Sequence, residues 1–407
     1  TITLGTGDLT MSLSGTTPSF TTAGSVIVGS GRVLQVNGGA FNYANSVPGG
    51  LAGLGTVNFS GVTLTLTPNF TQDTLTIVPT STVINGPGSL TVLAGRTLTL
   101  TSCTVNTSLD NSGTVLATPG TNFLNGSFAN QAGAMFRLNG NNGFADVTVA
   151  SGLTNAGTIE LTGTSWAGRL TVGTPTIATL VNASTGLLHT VAGVGNVFTG
   201  ALNNQGTVQV DGPFTVLGDA AGHVNSGLIK LGLGDLTVVL SGFRPGFAND
   251  LNGVIDVGTK KLVINNQSTG TFLNNAGASL RGSGTVDIGT SSFITNGRTI
   301  VDGSPGGRLN WVGTFLMGPN QTFPSVLELD VAGLGANPGT DYDQLNVSDN
   351  VTLQGGTLLV TGTLMPGEFY IIIQVPANKT ITGEFQVKTG LGQCSSSVSG
   401  TAYVIAC

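Results

Sequence analysis

The sequence Asn204-Gln205-Gly206-Thr207-Val208-Gln209-Val210 is matched 21 residues later by Asn225-Ser226-Gly227-Leu228-Ile229-Lys230-Leu231. In both stretches an Asn–x–Gly element precedes residues that alternate between apolar and polar. Alternation with a period of two predicts a β-strand. The Asn and Gly before it predict a tight bend, because both residues tolerate a left-handed backbone. Each stretch is therefore interpreted as a bend followed by a short strand.

This element recurs nine times along the middle of the chain, with glycines 20 to 29 residues apart and a mean spacing of 23. The copies are Asn111–Gly113, Asn130–Gly133, Asn155–Gly157, Asn182–Gly186, Asn204–Gly206, Asn225–Gly227, Asn249–Gly253, Asn275–Gly277 and Asn296–Gly297. A unit of this length with two or three short strands cannot bury its inner face alone, so successive units must stack. We therefore predict an all-β fold, a single-stranded parallel β-helix (β-solenoid).

The length of the chain gives the size of the solenoid. At about 23 residues per coil, 407 residues make about 17 coils. With about 4.8 Å between paired strands, such a stack is on the order of 80 Å long. Right-handed coiling is expected, because parallel crossovers have that hand. We expect three segments: irregular N-terminal coils over residues 1–105, regular repeats over 106–305, and C-terminal coils with a cap over 306–407.

The C-terminal segment carries a resemblance to a known family. An alternating strand at Leu327 to Val331 is followed by Tyr342 to Val360, which contains Tyr-Asp-Gln-Leu-Asn-Val and Leu-Gln-Gly-Gly-Thr-Leu, and then by Phe369 to Val375 and Thr382 to Phe385. This order resembles the C-terminal part of bacterial autotransporter and filamentous-haemagglutinin-type passenger domains. The resemblance implies a parallel β-helix at the cell surface. Because such passengers include adhesins, matrix components and a few enzymes, it implies an architecture more firmly than an activity.

Charge and hydropathy exclude several classes of protein. The chain has 13 Lys and Arg against 19 Asp and Glu, a net charge of −6, and no basic cluster larger than Lys260-Lys261. It therefore lacks the electrostatic footprint of a nucleic-acid-binding protein. No apolar run approaches the roughly 18 residues that cross a bilayer, so we predict no transmembrane segment. The sequence opens at Thr1 without an apolar leader, and we expect that any secretory signal has been removed and that the protein is extracellular or at the cell surface.

Cysteine and acidic residues offer few candidate sites. Cys394 and Cys407 are candidates for a disulfide that would hold the C-terminal end, which an oxidising compartment would favour. Cys103 is predicted to be a small buried apolar residue. Asp341 and Asp343 flank Tyr342 and are of the type that binds Ca²⁺, although an Asp pair that stabilises a turn is the simpler interpretation. We predict no other metal or cofactor.

One polar residue lies three positions after the glycine in each of five consecutive copies: Glu160, His189, Gln209, Lys230 and Asp256. Stacked coils would align them in an outer column at about 5 Å intervals, with a Lys230–Asp256 ion pair. The column is either a strip that binds or cleaves carbohydrate, or a solvated face whose pairs contribute about 0–1 kcal/mol each. We favour the solvated face and predict no catalytic residue, because clustered acids and bases and the usual hydrolase and nucleotide-binding motifs are absent.

The two ends of a solenoid carry strand edges that need covering. Apolar residues alternate near both ends of the chain, and we take them as assembly candidates: Ile2, Leu4, Leu9, Met11 and Leu13 at one end, and Ile371, Ile373 and Val375 at the other. We predict that end meets end, or that the N-terminal strand pairs with a neighbouring copy, in a filament. The predicted function is a non-enzymatic extracellular structural protein that assembles with itself.

Two other functions stay open. An adhesin that binds glycans or host proteins would carry an exposed aromatic or basic patch, for which Trp166 and Trp311 are the only tryptophans. A carbohydrate-active enzyme would use the outer column. Phe247, Phe272 and Phe293 precede successive corner glycines, and we predict that they stack as an aromatic ladder in the core.

Overall fold

The computed structural model describes residues 1–22, 24–44, 50–191, 193–219, 222–241, 246–266, 270–303, 306–318, 325–331 and 337–407. The regular secondary structure of these residues is entirely β, and its pairing is that of a parallel β-solenoid, which confirms the predicted fold class. The chain divides into two compact units, Thr1–Gly200 and Ala201–Cys407. The three segments expected from the sequence stay a prediction.

The first unit contains 27 described strands. In chain order they are β1 Ile2–Leu4, β2 Leu9–Ser12, β3 Ser19–Thr22, β4 Val26–Val28, β5 Val33–Asn37, β6 Ala40–Tyr43, β7 Leu51–Gly53, β8 Thr56–Ser60, β9 Thr63–Leu66, β10 Phe70–Gln72, β11 Thr76–Thr80, β12 Val83–Asn85, β13 Leu90–Val92, β14 Thr97–Leu100, β15 Thr104–Val105, β16 Leu109–Asn111, β17 Thr114–Ala117, β18 Gly120–Leu124, β19 Phe128–Asn130, β20 Met135–Asn139, β21 Ala145–Val149, β22 Leu153–Asn155, β23 Thr158–Thr162, β24 Gly168–Val172, β25 Thr179–Asn182, β26 Leu187–Thr190 and β27 Asn196–Thr199.

The second unit contains 25 described strands. They are β28 Ala201–Asn204, β29 Thr207–Val210, β30 Phe214–Asp219, β31 His223–Asn225, β32 Leu228–Leu231, β33 Leu236–Ser241, β34 Gly246–Asn249, β35 Val254–Gly258, β36 Lys261–Asn266, β37 Thr271–Asn274, β38 Ser279–Gly282, β39 Thr285–Asp287, β40 Ser292–Thr295, β41 Arg298–Val301, β42 Arg308–Val312, β43 Phe315–Met317, β44 Val326–Val331, β45 Gln344–Val347, β46 Val351–Gln354, β47 Thr357–Gly362, β48 Phe369–Gln374, β49 Ile381–Glu384, β50 Val387–Thr389, β51 Ser395–Ser399 and β52 Ala402–Ala406.

Three strands make one turn, because a strand typically pairs in parallel with the third strand after it. In the first unit β17 pairs with β20 and β20 with β23, and in the second β29 pairs with β32 and β32 with β35. Counted in threes, β1–β27 give nine complete turns in the first unit and β28–β48 give seven in the second. Strands β49 and β50 belong to a further, incomplete turn, and the antiparallel strands β51 and β52 are not counted. The number of turns is slightly lower than the 17 predicted. Within each unit, every turn therefore presents a first, a second and a third strand at the same places around the coil.

The interior of the second unit contains the predicted aromatic ladder. The ring centroids of Phe247 and Phe272 are 5.3 Å apart, and those of Phe272 and Phe293 are 5.2 Å apart. Trp311 continues the stack at 4.3 Å from Phe293 and is only 1% exposed. Trp311 is therefore a core residue and is removed from the candidates for an exposed aromatic patch.

Buried Asn side chains form a ladder at the end of the first strand of successive turns. Asn155 Nδ2 donates to Asn182 Oδ1 at 2.8 Å and to the carbonyl of Leu187 at 3.2 Å, while Asn155 Oδ1 accepts from Asn130 Nδ2 at 2.7 Å. The amides thus satisfy one another away from water. The Asn ladder consists of Asn111, Asn130, Asn155 and Asn182 in the first unit, and a second one consists of Asn204, Asn225, Asn249, Asn274 and Thr295 in the second unit.

The ladders correct the interpretation of the repeated element. In the last two copies of the repeated element, the residues of the second ladder are Asn274 and Thr295. These residues directly precede Asn275 and Asn296, the Asn residues of the predicted motif. The Asn is thus selected as a hydrogen-bonding residue that ends a strand, because its amide offers both donors and an acceptor to the neighbouring turns.

The reason for the glycine differs between copies of the element, since Gly133 and Gly277 have the predicted positive φ, of 78° and 81°. Gly113 and Gly157 do not have a positive φ. A Cβ at these positions would lie 2.2 Å from the carbonyl oxygen of Leu93 and 2.3 Å from that of Gln131, respectively. Glycine is needed here because the backbone of the preceding turn passes too close for any side chain.

The first turn of the first unit has strands with a neighbour on one side. Among the described strands, β1 pairs with β4 alone and β2 pairs with β5 alone. Leu9 is 37% exposed, Ile2, Met11 and Leu13 are half-buried, and Leu4 is buried. The predicted N-terminal assembly residues therefore lie on a turn that offers free strand edges within the described chain.

The C-terminal assembly candidates lie on a strand that has no such edge. Strand β48 pairs with β45 on one side and with the antiparallel strand β52 on the other. Ile373 and Val375 are 0% and 2% exposed, and Ile371 is half-buried. This corrects the expectation that Ile371, Ile373 and Val375 form an assembly edge, because the protein's own last strand already occupies it.

A hairpin packs beside β48 in the second unit. Strands β51 and β52 pair in an antiparallel hairpin, and a disulfide joins Cys394 to Cys407 across it. The buried ring of Tyr403 packs edge-to-face on Phe385 with centroids 5.1 Å apart. Cys103, in the first unit, is a free cysteine that is 1% exposed, in keeping with a buried apolar role.

Candidate binding surface

The strand registers bring the predicted outer column together within each unit. Glu160 is opposite His189 in the first unit, and Lys230 lies between Gln209 and Asp256 in the second. All five side chains are half-buried or exposed. The column predicted from the glycine spacing is therefore a row of outward-facing residues.

The ion pairs along this column differ from the predicted one. Asp256 Oδ2 is bound by Arg281, with Nη2 at 2.8 Å and Nε at 3.1 Å, in place of the predicted pair with Lys230. The planar guanidinium suits a carboxylate better than an ammonium does. Glu160 Oε1 is 2.7 Å from Arg137 Nε. Because each carboxylate is held by an arginine of the adjacent turn, the column favours a solvated, ion-paired face over a catalytic strip.

Asp341 and Asp343 point to different partners. Both carboxylate oxygens of Asp343 accept backbone N–H bonds, from Gly307 at 2.5 Å and from Asp330 at 2.7 Å, and the side chain is 1% exposed. Burial raises the pKa of Asp343 to about 6, although the two N–H donors lower it. Asp341 separately accepts from Asn337 at 3.2 Å. This arrangement favours the turn-stabilising role over a shared Ca²⁺ site; residues 332–336 of the same loop lie outside the described part.

An exposed aromatic pair lies on the first unit. Phe144 directly precedes β21, and Trp166 lies two residues before β24, so the two rings occupy neighbouring turns. Their centroids are 4.8 Å apart in an edge-to-face arrangement with an interplanar angle of 80°. The residues are 39% and 46% exposed. Large aromatic side chains that are in contact with each other and open to solvent are of the kind that binding interfaces favour.

An ion pair holds this aromatic pair in place. The guanidinium carbon of Arg169 lies 3.6 Å from the centroid of the Phe144 ring. Arg169 Nε is 2.7 Å from Asp146 Oδ1, and Nη2 donates to Asp146 Oδ2 at 3.2 Å. The ion pair, with its one hydrogen bond from Nη2 to Oδ2, and the cation–π contact orient the arginine. Phe144, Asp146, Trp166 and Arg169 are called the aromatic patch below.

The sequence contains a signal for the patch beyond its tryptophan. Gly140 is followed by Asn-Asn-Gly-Phe144-Ala, and Gly163 by Thr-Ser-Trp166-Ala. Consecutive repeats thus place an aromatic residue before an alanine at the same corner. Phe144 is not among the site residues predicted from the sequence, because a single phenylalanine in a corner is more often a core residue.

His223, in the second unit, is a buried titratable residue that the predicted column does not include. It is 2% exposed and faces a small apolar cavity, next to Phe214 and Phe247. Its Nδ1 accepts the backbone N–H of Leu202 at 3.2 Å, and its Nε2 has no hydrogen-bond partner among the described residues. Burial lowers the pKa of His223 to about 4.

We expect the stability of the protein to contain a contribution from His223 that is lost on acidification. The lowered pKa means that the folded state keeps the imidazole neutral, whereas the unfolded state protonates near pH 6.5. This contribution is complete above pH 6.5 and is lost as the pH falls to about 4, by about 3 kcal/mol. Urea unfolding of the parent and of His223→Phe at several pH values measures it. The raised pKa of Asp343 acts equally in both proteins, so identical pH dependence would contradict the expectation.

Comparison with known proteins adds little to this picture. No family model and no curated protein matches the chain. One of the solved structures that resemble it is described as "Crystal structure of TibC-catalyzed hyper-glycosylated TibA55-350 fragment". The match covers 92% of this chain and 98% of that chain, at 15% sequence identity and a TM-score of 0.29. A TM-score of this size is too low to support an inference about this chain. The assignment of the fold therefore depends on the strand pairing, and the assignment of the aromatic patch depends on its own geometry.

None of the described residues forms a helix with the length and apolar character of a membrane span.

Proposed function

We propose that the protein is a non-enzymatic surface or extracellular binding protein of the adhesin type, which attaches through the aromatic patch. The observation that carries the proposal is the exposed Phe144–Trp166 pair, fixed by Arg169 and Asp146. Tryptophan and arginine dominate binding energy at interfaces, because they offer a large rigid surface together with directional donors. A patch that is ordered before binding also loses little entropy when a partner docks.

Two further features support this function. The Cys394–Cys407 disulfide is typical of an oxidising, extracellular compartment. The carboxylates of Glu160 and Asp256 are held in ion pairs with arginines, which favours a structural role for the outer column. A solenoid built in this way supplies a rigid support for a surface patch, since each turn is held by its neighbours.

Attachment to cells tests the proposal. Fluorescently labelled protein is incubated with fixed human epithelial cells and with fixed yeast cells, and bound protein is measured by flow cytometry. We expect attachment to at least one cell type, and we expect Trp166→Ala to reduce it about tenfold or more, because a central tryptophan is a typical hot spot. Phe369→Ala is the matched control, since Phe369 is 67% exposed and belongs to the second unit. Absence of attachment to both cell types, or equal attachment of the two variants, would contradict the proposal.

Self-association is a second candidate function, favoured by the first turn. Among the described strands, β1 and β2 each have a partner on one side, and Leu9 and Met11 contribute apolar surface beside the other side, where a strand of another copy would pair. Because β48 is already paired on both sides, such an assembly would use the first turn and not the predicted C-terminal edge. Sedimentation velocity at increasing concentration decides this: association that Met11→Lys abolishes supports it, and a monomer at every concentration rejects it.

A further inference from the structure

We infer that the ligand of the aromatic patch is an uncharged oligosaccharide, laid across the third strands β18, β21 and β24. The inference rests on the proposed binding function and adds the chemical class of the ligand. Strand β21 pairs with β18 on one side and with β24 on the other, in continuous parallel register. The outward side chains of three consecutive turns therefore share one face.

The aromatic pair provides one half of saccharide recognition. A pyranose ring has an apolar face of C–H groups, which packs on an aromatic surface by dispersion and by contact of its C–H dipoles with the ring electrons. Trp166 is 46% exposed, and its ring is in edge-to-face contact with that of Phe144 at an interplanar angle of 80°. The exposed indole is therefore the platform, and it suits a ligand that is flat and apolar on one side.

The ion pair beside the platform provides the other half. Only part of the hydrogen-bonding capacity of Arg169 is used by Asp146, and the two side chains remain 40% and 35% exposed. An arginine has five N–H donors, and a carboxylate has several acceptor sites. The remaining groups are thus available as fixed donors and acceptors for the hydroxyl groups at the edge of a sugar ring.

The charge balance of the patch selects an uncharged ligand. Asp146 compensates the charge of Arg169 at 2.7 Å. On the adjacent face, Glu160 likewise compensates Arg137. An anionic ligand would have to displace Asp146 from Arg169 or accept its repulsion, whereas neutral hydroxyl groups bind both partners without breaking the pair.

The face continues along the strands for more than one sugar ring. Phe123 of β18 is 38% exposed and lies opposite Thr148, which is four residues beyond Phe144. Four residues of strand span about 13 Å. Thr148 pairs in register with Thr171, and both are half-buried outward residues beside the ion pair. This third exposed aromatic side chain, at this distance from Phe144 and Trp166, favours an oligosaccharide over a monosaccharide.

Binding to neutral oligosaccharides tests the inference. The probes are hexasaccharides of glucose, galactose, mannose and xylose, together with a hexamer of galacturonic acid, measured by isothermal titration calorimetry. We expect at least one neutral hexamer to bind and the charged hexamer to bind more weakly. Trp166→Ala should raise Kd about tenfold or more, while Phe369→Ala should leave it unchanged. Circular dichroism verifies that the variants are folded.

Two further comparisons separate the parts of the inference. Phe123→Ala should weaken binding of the hexamer but not of the corresponding disaccharide, and equal effects on both would overturn the extended site. Failure of every neutral hexamer to bind, preference for the charged hexamer, or an unchanged Kd in Trp166→Ala would overturn the saccharide inference. If Trp166→Ala still abolishes attachment to cells in that case, the binding function stands and its ligand is of another class, such as a protein. If Trp166→Ala retains both attachment to cells and sugar binding, the binding function of the patch and the saccharide inference are both rejected.

Discussion

Asn155→Asp is expected to destabilise the first unit by about 3–5 kcal/mol, the cost of an uncompensated charge in a buried site. The side chain is 0% exposed, and its Nδ2 donates both to Asn182 and to the carbonyl of Leu187. An aspartate keeps the size of the side chain and the acceptor, but it removes both donors and faces the oxygen of Asn182. Urea unfolding followed by circular dichroism measures the loss.

Asn125→Asp is the matched control for this substitution. Asn125 Nδ2 donates to Asn106 Oδ1 at 2.8 Å in a second row of amides, but this row is exposed to solvent. Water can replace the lost hydrogen bond and solvate the carboxylate, so the expected loss is below about 1 kcal/mol. Similar losses at Asn155 and Asn125 would show that the buried ladder does not stabilise the unit more than an exposed row does.

Phe272→Ala is expected to destabilise the second unit by a comparable amount, about 3–5 kcal/mol. Phe272 is 0% exposed and stacks between Phe247 and Phe293. Removal of the ring leaves a cavity between two rings that are themselves held by strand pairing, so the site cannot collapse without loss of register. Chemical denaturation of the variant measures the change in free energy.

The control for the aromatic ladder is Phe369→Ala in the same unit. Phe369 is 67% exposed, so its truncation removes little buried surface and should change stability by at most about 0.5 kcal/mol. Phe272→Leu should lie between the two, because leucine fills part of the cavity. A loss for Phe272→Ala as small as that for Phe369→Ala would contradict a packed aromatic ladder.

The repeating pattern is sufficient to predict the solenoid, because this fold requires only alternating residues within a strand and a regular spacing between successive turns. The alternation of Ile159, Glu160 and Leu161 indicates one strand, and the common spacing of the glycines indicates the register that places Glu160 beside His189. Phe247, Phe272 and Phe293 can be assigned to the core for the same reason. These predictions need only the position of a residue within the repeat.

Predictions that depend on the neighbouring turn are less accurate. The partner of Asp256 is decided by which cation of the adjacent turns reaches its carboxylate, and Arg281 does so through two nitrogens. Position 157 requires glycine because a carbonyl oxygen of the preceding turn lies too close for a Cβ atom. The residues around Gly157 give no sign of this contact. The sequence does not distinguish the buried Trp311 from the exposed Trp166. Trp311 is buried because it continues an aromatic stack, whereas Trp166 lies at a corner.

The Asn ladder also constrains how the gene for such a protein can change in length. Excision of residues 131–155 would join Asn130 to Ala156 and bring Asn182 next to Asn130, so that every remaining amide again meets an identical neighbour. Excision of only half of that segment would remove part of a turn, so that the following Asn residues would no longer align with those of the turns before them and would lose their amide partners. Gain or loss of a whole turn therefore preserves the hydrogen bonds of the Asn ladder. Such a chain can change in length by duplication or deletion in steps of one turn.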